Sequence, residues 1–184
     1  MKKLFVTIFL SSVILSSVSY GAGLNGFFGI TLNDNAEGYV SSNFIESNKG
    51  KHRETIDGYF YLIITDEIEN KSPYATYYEI VIDSNNIIHS IIGTSELLNL
   101  DVCKAVLESV IDSLEERHQI EFDYFEQPYP KFKIYSYFHY NNNLGNYVVV
   151  QCNEVYGESK VNLQIYTNTF EIADAIDKFY DSGL

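Results

Sequence analysis

Short segments rich in aromatic and β-branched residues, separated by turn-forming residues, constrain this chain more than any other feature. Six of them occupy residues 59–67, 76–83, 87–93, 131–140, 146–152 and 160–167. Ser84, Asn85 and Asn86 separate the second segment from the third, and these residue types suit the tight turn of a hairpin. Such segments fit a pleated, half-buried surface better than a helix. The pattern predicts an antiparallel sheet, with a further short strand at residues 27–32.

Two segments change to the three-four spacing of an amphipathic helix. The first carries its apolar stripe at Cys103, Val106, Leu107, Val110, Ile111 and Leu114. The second runs from Thr169 to Tyr180, with Asn168 and Glu171 spaced like a capping box. We therefore predict an α+β fold in which two helices pack on one face of the antiparallel sheet. The order strand, strand, helix occurs twice, which is compatible with a duplicated unit.

The first 22 residues have the pattern of a secretory signal peptide. Lys2 and Lys3 precede an apolar run, and Gly21 and Ala22 supply small residues near a cleavage point. The run is short for a bilayer span, so we expect cleavage after residue 22 and no membrane insertion. Residues 23–184 suffice for a single α+β domain. The expected location is the bacterial periplasm or the medium.

Cys103 and Cys152 are the two cysteines of the chain. An exported protein meets an oxidising compartment, and the pair lacks the spacing of a redox or metal motif. Cys103 lies on the apolar stripe of its helix, and Cys152 follows Val148 and Val150 at the period of a strand. We predict a disulfide that ties the helix to the sheet. A thiol nucleophile is disfavoured because it would need an accessible electropositive site.

The charge balance bears on the class of partner. The chain has 12 basic and 25 acidic residues, for a formal net charge of -13. Nucleic-acid binding depends on basic patches that release counterions, so this balance argues against it. An acidic surface suits solubility or docking to a cationic protein.

No short motif predicts catalysis, a cofactor or a metal. His52, His89, His118 and His139 are scattered without ligand spacing. The turn at residues 33–38 resembles the start of a calcium loop, but Phe44 stands where the bidentate carboxylate would be needed. A hydrolase with dispersed carboxylates stays open as an alternative, since many active sites are assembled from distant residues.

Tyrosine is unusually frequent, with 16 copies and no tryptophan. Tyr135 and Tyr137 share one side of a predicted strand and are candidates for stacking on a ligand, against the alternative of cross-strand pairing inside the sheet. Residues 121–130 combine acidic and aromatic groups with two prolines and are predicted to form a loop. The candidate contact residues of that loop are Asp123, Tyr124, Phe125, Glu126 and Tyr129.

These features favour a non-catalytic module that binds a protein, plausibly a cationic one. An inhibitor, an immunity factor or an assembly accessory would fit this description. The alternative is a module that binds a glycan or another small ligand through the tyrosines of the sheet. No oligomeric state follows from the sequence.

Overall fold

The computed structural model describes residues 24–49, 51, 56 and 58–181, so the predicted signal peptide and His52 lie outside the described residues. The strands are β1 (Gly26–Phe27), β2 (Ile30–Thr31), β3 (Tyr59–Ile63), β4 (Tyr77–Asp83), β5 (Ile88–Leu97), β6 (Asp123–Pro128), β7 (Phe132–Asn141), β8 (Asn146–Val155) and β9 (Val161–Thr169). The α-helices are α1 (Ser42–Asn48), α2 (Leu100–His118) and α3 (Phe170–Asp181).

Strands β3 to β9 form one seven-stranded sheet in the order β3-β4-β5-β9-β8-β7-β6. Each neighbouring pair in this sheet is antiparallel. Strands β1 and β2 form a separate two-stranded sheet. The predicted α+β class with an antiparallel sheet is therefore confirmed.

One face of the sheet, here called the α2 face, carries the larger part of the core. Helix α2 buries Cys103 and Leu107 against Cys152, Leu163 and Ile165 of the two central strands β8 and β9. On the β3 side of the same face, the N-terminal segment and α1 cover buried residues of β3, β4 and β5. That second cluster includes Ile30, Leu32, Ile45, Leu62, Ile80, Ile82 and Ile91.

Helix α3 packs on the opposite face, here called the α3 face. Its residue Ile172 contacts a cluster with Tyr59 and Val81. Val81 pairs with Ser90, and Ser90 with Asn168, so these residues share the face opposite to Thr167 and Ile165. The sequence predicted that the two long helices lie on one face, whereas the structure places α1 and α2 together and α3 across the sheet. An amphipathic pattern shows that a helix has one apolar side, but it does not show which face of the sheet that side covers.

The predicted duplication stays a prediction. The elements β4-β5-α2 and β8-β9-α3 follow the expected order, and β5 pairs with β9 at the centre of the sheet. Two copies that are related by a twofold axis through antiparallel neighbours would carry their helices on the same face. Helices α2 and α3 lie on opposite faces, so the two sets of elements are not related by such an axis.

Three segments differ from the predictions. Residues 27–32, predicted as one strand, form the hairpin β1–β2, because Phe28 and Gly29 both adopt positive φ angles of 58° and 81°. The segment Ser42–Asn48, for which no element was predicted, forms α1, which begins where Ser41 accepts a hydrogen bond from the Phe44 N–H. Residues 121–130, predicted as a loop, contain β6, because Pro128 lies at the end of the strand and Pro130 in the turn beyond it.

The predicted disulfide is present. Cys103 of α2 is bonded to Cys152 of β8, and both side chains are completely buried. The bond joins a helix to the sheet, as the sequence predicted. In the described part of the chain, no helix is both long enough and apolar enough to cross a membrane.

Candidate functional site

The candidate site lies around β6, which forms one edge of the seven-stranded sheet. This strand exposes aromatic side chains: Tyr124 is 51% exposed, Phe125 46%, and Tyr129, just beyond the strand, 36%. Tyr124 faces the α2 side and Phe125 the α3 side, because they pair with Tyr137 and Ser136 on β7. Large exposed aromatic side chains close together are typical of contact surfaces.

A shallow groove separates α2 from the hairpin β6–β7 and is here called the α2–β6 groove. It has a volume of about 120 Å³ and is lined by Lys104, Leu107, Glu108, Tyr124, Tyr135 and Tyr137. Pockets for small ligands usually enclose about 300–1,000 Å³. The groove is therefore better suited to receiving side chains of a partner than to enclosing a free ligand.

An ion pair and a hydrogen bond fix the outer wall of the groove. Glu126 forms a salt bridge with Lys133 of β7 and accepts a hydrogen bond of 2.8 Å from the Tyr124 hydroxyl. The bond from Lys133, followed by that from Tyr124, lowers the pKa of the Glu126 carboxyl. Burial raises the pKa of Tyr124 to about 12, and the Glu126 carboxylate acts in the same direction. Tyr124 is therefore a neutral hydrogen-bond donor over the physiological pH range.

The inner wall of the groove is acidic on the helix side. Tyr137 packs beside Tyr124, with ring centroids 5.1 Å apart. Burial raises the pKa of Tyr137, and the charges of Glu108, Asp112 and Glu115 raise it further. Glu108 lines the groove, and Asp112 and Glu115 are near enough for their charges to act on Tyr137. Glu115 also accepts a hydrogen bond from the Phe122 N–H, which fixes the chain just before β6.

The structure brings four of the predicted residues together in this groove: Tyr124, Glu126, Tyr135 and Tyr137. Asp123 and Phe125 belong to the same strand but face the other side of the sheet. Tyr129 lies at the turn of the hairpin and stacks on Phe132, with centroids 4.5 Å apart.

Tyr135 occupies the floor of the groove and is only 5% exposed. The Lys104 ammonium lies 3.8 Å from its ring centroid and the Lys133 ammonium 4.7 Å. Its hydroxyl donates a hydrogen bond of 3.3 Å to Glu154. The ring of Tyr135 is therefore already packed by residues of this chain.

The sequence analysis missed the contribution of α2. Lys104, Glu108 and Asp112 recur every four residues and so form one stripe along the helix. In the sequence these residues fall on the polar side of the helix, away from its apolar stripe. The four-residue spacing in the sequence identifies this stripe, but it does not indicate which strand lies beside it.

A larger cavity of about 270 Å³ lies near the β3 edge of the sheet, between the β1–β2 turn and residues 64–70. Its charged lining consists of Glu67 and Glu69, and no predicted site residue contributes to it. Within the described residues, no three or more His, Cys, Asp or Glu side chains are arranged to hold a metal ion. The β6 surface therefore remains the candidate site.

Comparison with protein families, with curated proteins and with solved structures found no match to this chain.

Proposed function

We propose that this protein is a non-catalytic interaction module of the bacterial periplasm or secretome, and that it binds a cationic protein through β6. Inhibition, immunity and assembly are the roles that such a module would serve. The observation that carries the proposal is the edge strand itself, which exposes Tyr124, Phe125 and Tyr129 beside an acidic side of α2. Exposed aromatic rings supply much of the binding energy at protein interfaces.

The buried disulfide and the signal-peptide pattern support the proposed location. A disulfide persists in the periplasm and outside the cell, where thiols are not kept reduced. Cys103 and Cys152 are bonded here. Residues 1–22 have the sequence pattern of the export signal that the proposal requires.

Binding of a glycan to Tyr135 and Tyr137 has weaker support. Tyr135 is nearly buried and its ring is packed by Lys104 and Lys133. A sugar would have to displace these ammonium groups before it could stack. The small volume of the α2–β6 groove, about 120 Å³, also offers little room for a hydrolase substrate.

Site-specific photocrosslinking in the native host tests the proposal. A photoreactive residue at position 125 or 129 should give a discrete adduct with the same partner. Ile63 is a matched control position, because it is 37% exposed and lies on β3, at the opposite edge of the sheet. Adducts that form equally from position 63, or no adduct from positions 125 and 129, would contradict the proposal.

Alanine variants provide the second arm of the test. Phe125→Ala should weaken binding of the crosslinked partner by about tenfold or more, as expected for an aromatic residue at the centre of an interface. Ile63→Ala removes a similarly exposed apolar side chain and should leave the affinity unchanged. The purified partner and isothermal titration calorimetry would give both affinities.

A further inference from the structure

The outer side of β6 carries backbone groups that no other element of the described chain takes up. The Tyr129 N–H donates to the Phe132 carbonyl at 2.8 Å, which makes these two residues a hydrogen-bonded pair of the antiparallel ladder. Such pairs alternate along a ladder, so Gln127 and Phe125 also bond inward to β7. The N–H and C=O groups of Tyr124 and Glu126 therefore point away from the sheet.

The available edge is short and has a defined end. Tyr124 and Glu126 offer two N–H donors and two carbonyl acceptors, whereas Pro128 offers only a carbonyl. A partner strand of about five residues would saturate these groups. Proline at the end of an edge strand limits how far pairing can extend.

The charge around this edge selects among possible strands. An added strand lies about 4.8 Å from β6, and its alternate side chains point to the α2 face. There they would lie beside Glu126, on the face that also carries Glu108, Asp112 and Glu115 of α2. Two cations lie on this face: Lys133 is bonded to Glu126, and Lys104 lies over the ring of Tyr135. Glu108, Asp112, Glu115 and Glu126 outnumber them, so the net charge offered to a partner is negative.

We infer that the partner binds as an eighth strand on the outer side of β6, and that it is a basic extended segment with lysine or arginine at alternate positions. The inference rests on the function proposed for this surface and specifies its mode of binding. A second copy of this chain is disfavoured as the occupant, because each copy carries a formal net charge of -13. The exposed ring of Tyr124 would also accept the contact of a cationic side chain.

A synthetic peptide that alternates lysine and valine over about seven residues serves as the probe. In the full chain, this peptide should slow hydrogen exchange of the Tyr124 and Glu126 amides by about tenfold or more, because both become ladder donors. A peptide with glutamate in place of lysine should give no protection. The lysine peptide with methyl groups on the amides that face β6 should also give none.

A pair of variants separates the backbone from the side chain. Glu126→Pro removes the carboxylate and the outward N–H, whereas Glu126→Ala removes the carboxylate alone. We expect Glu126→Pro to bind the lysine peptide about tenfold more weakly than Glu126→Ala, since proline lacks the outward N–H that would donate to the added strand. Exchange protection of the β8 amides checks that both variants are folded, and the methylated peptide tests the same bond in the unaltered chain.

The outcomes distinguish the mode of binding from the proposed function. Equal affinity of Glu126→Pro and Glu126→Ala, equal binding of the methylated peptide, or equal binding of the glutamate peptide would overturn strand addition by a basic segment. An adduct at position 125 that forms in Glu126→Pro with the same yield as in Glu126→Ala would overturn strand addition while leaving the proposed contact surface in place. A dimer of this chain in sedimentation that Glu126→Pro abolishes would assign the edge to a second copy and overturn the inference.

Discussion

Phe28 and Gly93 form a close contact that joins two parts of the core. The ring of Phe28 packs at the border of both clusters on the α2 face and contacts Tyr78 edge-on, with centroids 4.9 Å apart. It lies against the backbone of Gly93 on β5, where a Cβ would come within 2.5 Å of its Cζ atom. Glycine is therefore needed here for space, in a strand where it otherwise weakens pairing.

We expect Gly93→Ala to destabilise the protein by about 1–3 kcal/mol, because the new methyl group overpacks a confined ring. Ala75 also leaves little room, since its Cβ would lie 3.0 Å away. Gly38→Ala is the matched control, because no atom lies within 4 Å of a Cβ at that position. Urea denaturation would measure both variants, and equal stability of Gly93→Ala and the unaltered chain would contradict this account.

A buried histidine connects the β4–β5 hairpin to the start of α3. His89 is 5% exposed, and its Nδ1 lies 3.2 Å from the Thr169 hydroxyl and 3.8 Å from Glu171. Its Nε2 lies 3.7 Å from the Asp83 carboxylate. Burial alone would raise the pKa of Asp83, but hydrogen bonds from the Ile87 and Asn85 N–H groups, together with the charge of His89, lower it.

The lowered pKa of Asp83 predicts a contribution to stability that depends on pH. A carboxyl group with a lowered pKa in the folded state stabilises the protein above its unfolded pKa of about 4, and this stabilisation is lost as the pH falls through the folded pKa. Asp83→Asn should therefore make the loss of stability below about pH 5 shallower. Chemical denaturation at a series of pH values measures the slope, and an unchanged slope would show that the carboxylate is not responsible.

At the scale of elements, the contact between α2 and the sheet depends on the disulfide and on the apolar stripe around it. Cys103 and Leu107 are fully buried against β8 and β9. The bond links positions 49 residues apart in the chain. The helix forms one wall of the α2–β6 groove, so the same bond holds the acidic side of α2 near β6.

Replacing both cysteines by alanine should destabilise the protein by about 4 kcal/mol, because the unfolded chain gains the entropy of an open loop of this length. No unpaired thiol remains in this variant, because Cys103 and Cys152 are the two cysteines of the chain. Thermal and urea unfolding of the variant would measure the effect. The reduced form of the unaltered protein is the control, and its stability should fall by a similar amount.

At the scale of the whole molecule, the burial of the residues decreases from the centre of the sheet toward the edge strand β6. The α2-face residues of β8 and β9, such as Val150 and Leu163, are fully buried. Five of the six residues of β6 are exposed, and Gln127 is of intermediate exposure. This is expected for a strand with one neighbour and no helix directly over it. The surface that we propose for binding therefore lies on β6, the least buried strand among β6, β7, β8 and β9.

Native-state hydrogen exchange should show this gradient. Phe125 and Gln127 bond inward to β7, but their amides should exchange at least about tenfold faster than those of Val150 and Ile165, because opening of an edge strand needs only local unfolding. Mass spectrometry or NMR would give the rates, corrected for intrinsic exchange. Equal protection of β6 and β8 would mean that the sheet opens only as one unit.

Local patterns in the sequence determined much of the fold. Strand-like segments and asparagine-rich turns predicted six of the seven strands of the main sheet, all except β6, and the three-four spacing predicted α2 and α3. Asn99 caps α2, since its side chain accepts a hydrogen bond from the Val102 N–H. The two cysteines and the signal-peptide pattern together predicted the disulfide. Each of these features depends on residues close together in the sequence or on a single pair of residues, so it can be predicted from the sequence alone.

The tertiary structure decided the face of the sheet on which each helix packs, the position of β6 at the edge, and the meeting of α2 with that edge. Tyr124 and Glu126 were predicted as members of a loop, yet their outward backbone groups follow from pairing with β7. Glu108 and Asp112 belong to a charged stripe that the sequence shows, but only the folded chain places it beside Tyr137. These features arise from contacts between residues that are distant in the sequence. Local periodicity does not specify which distant residues come into contact.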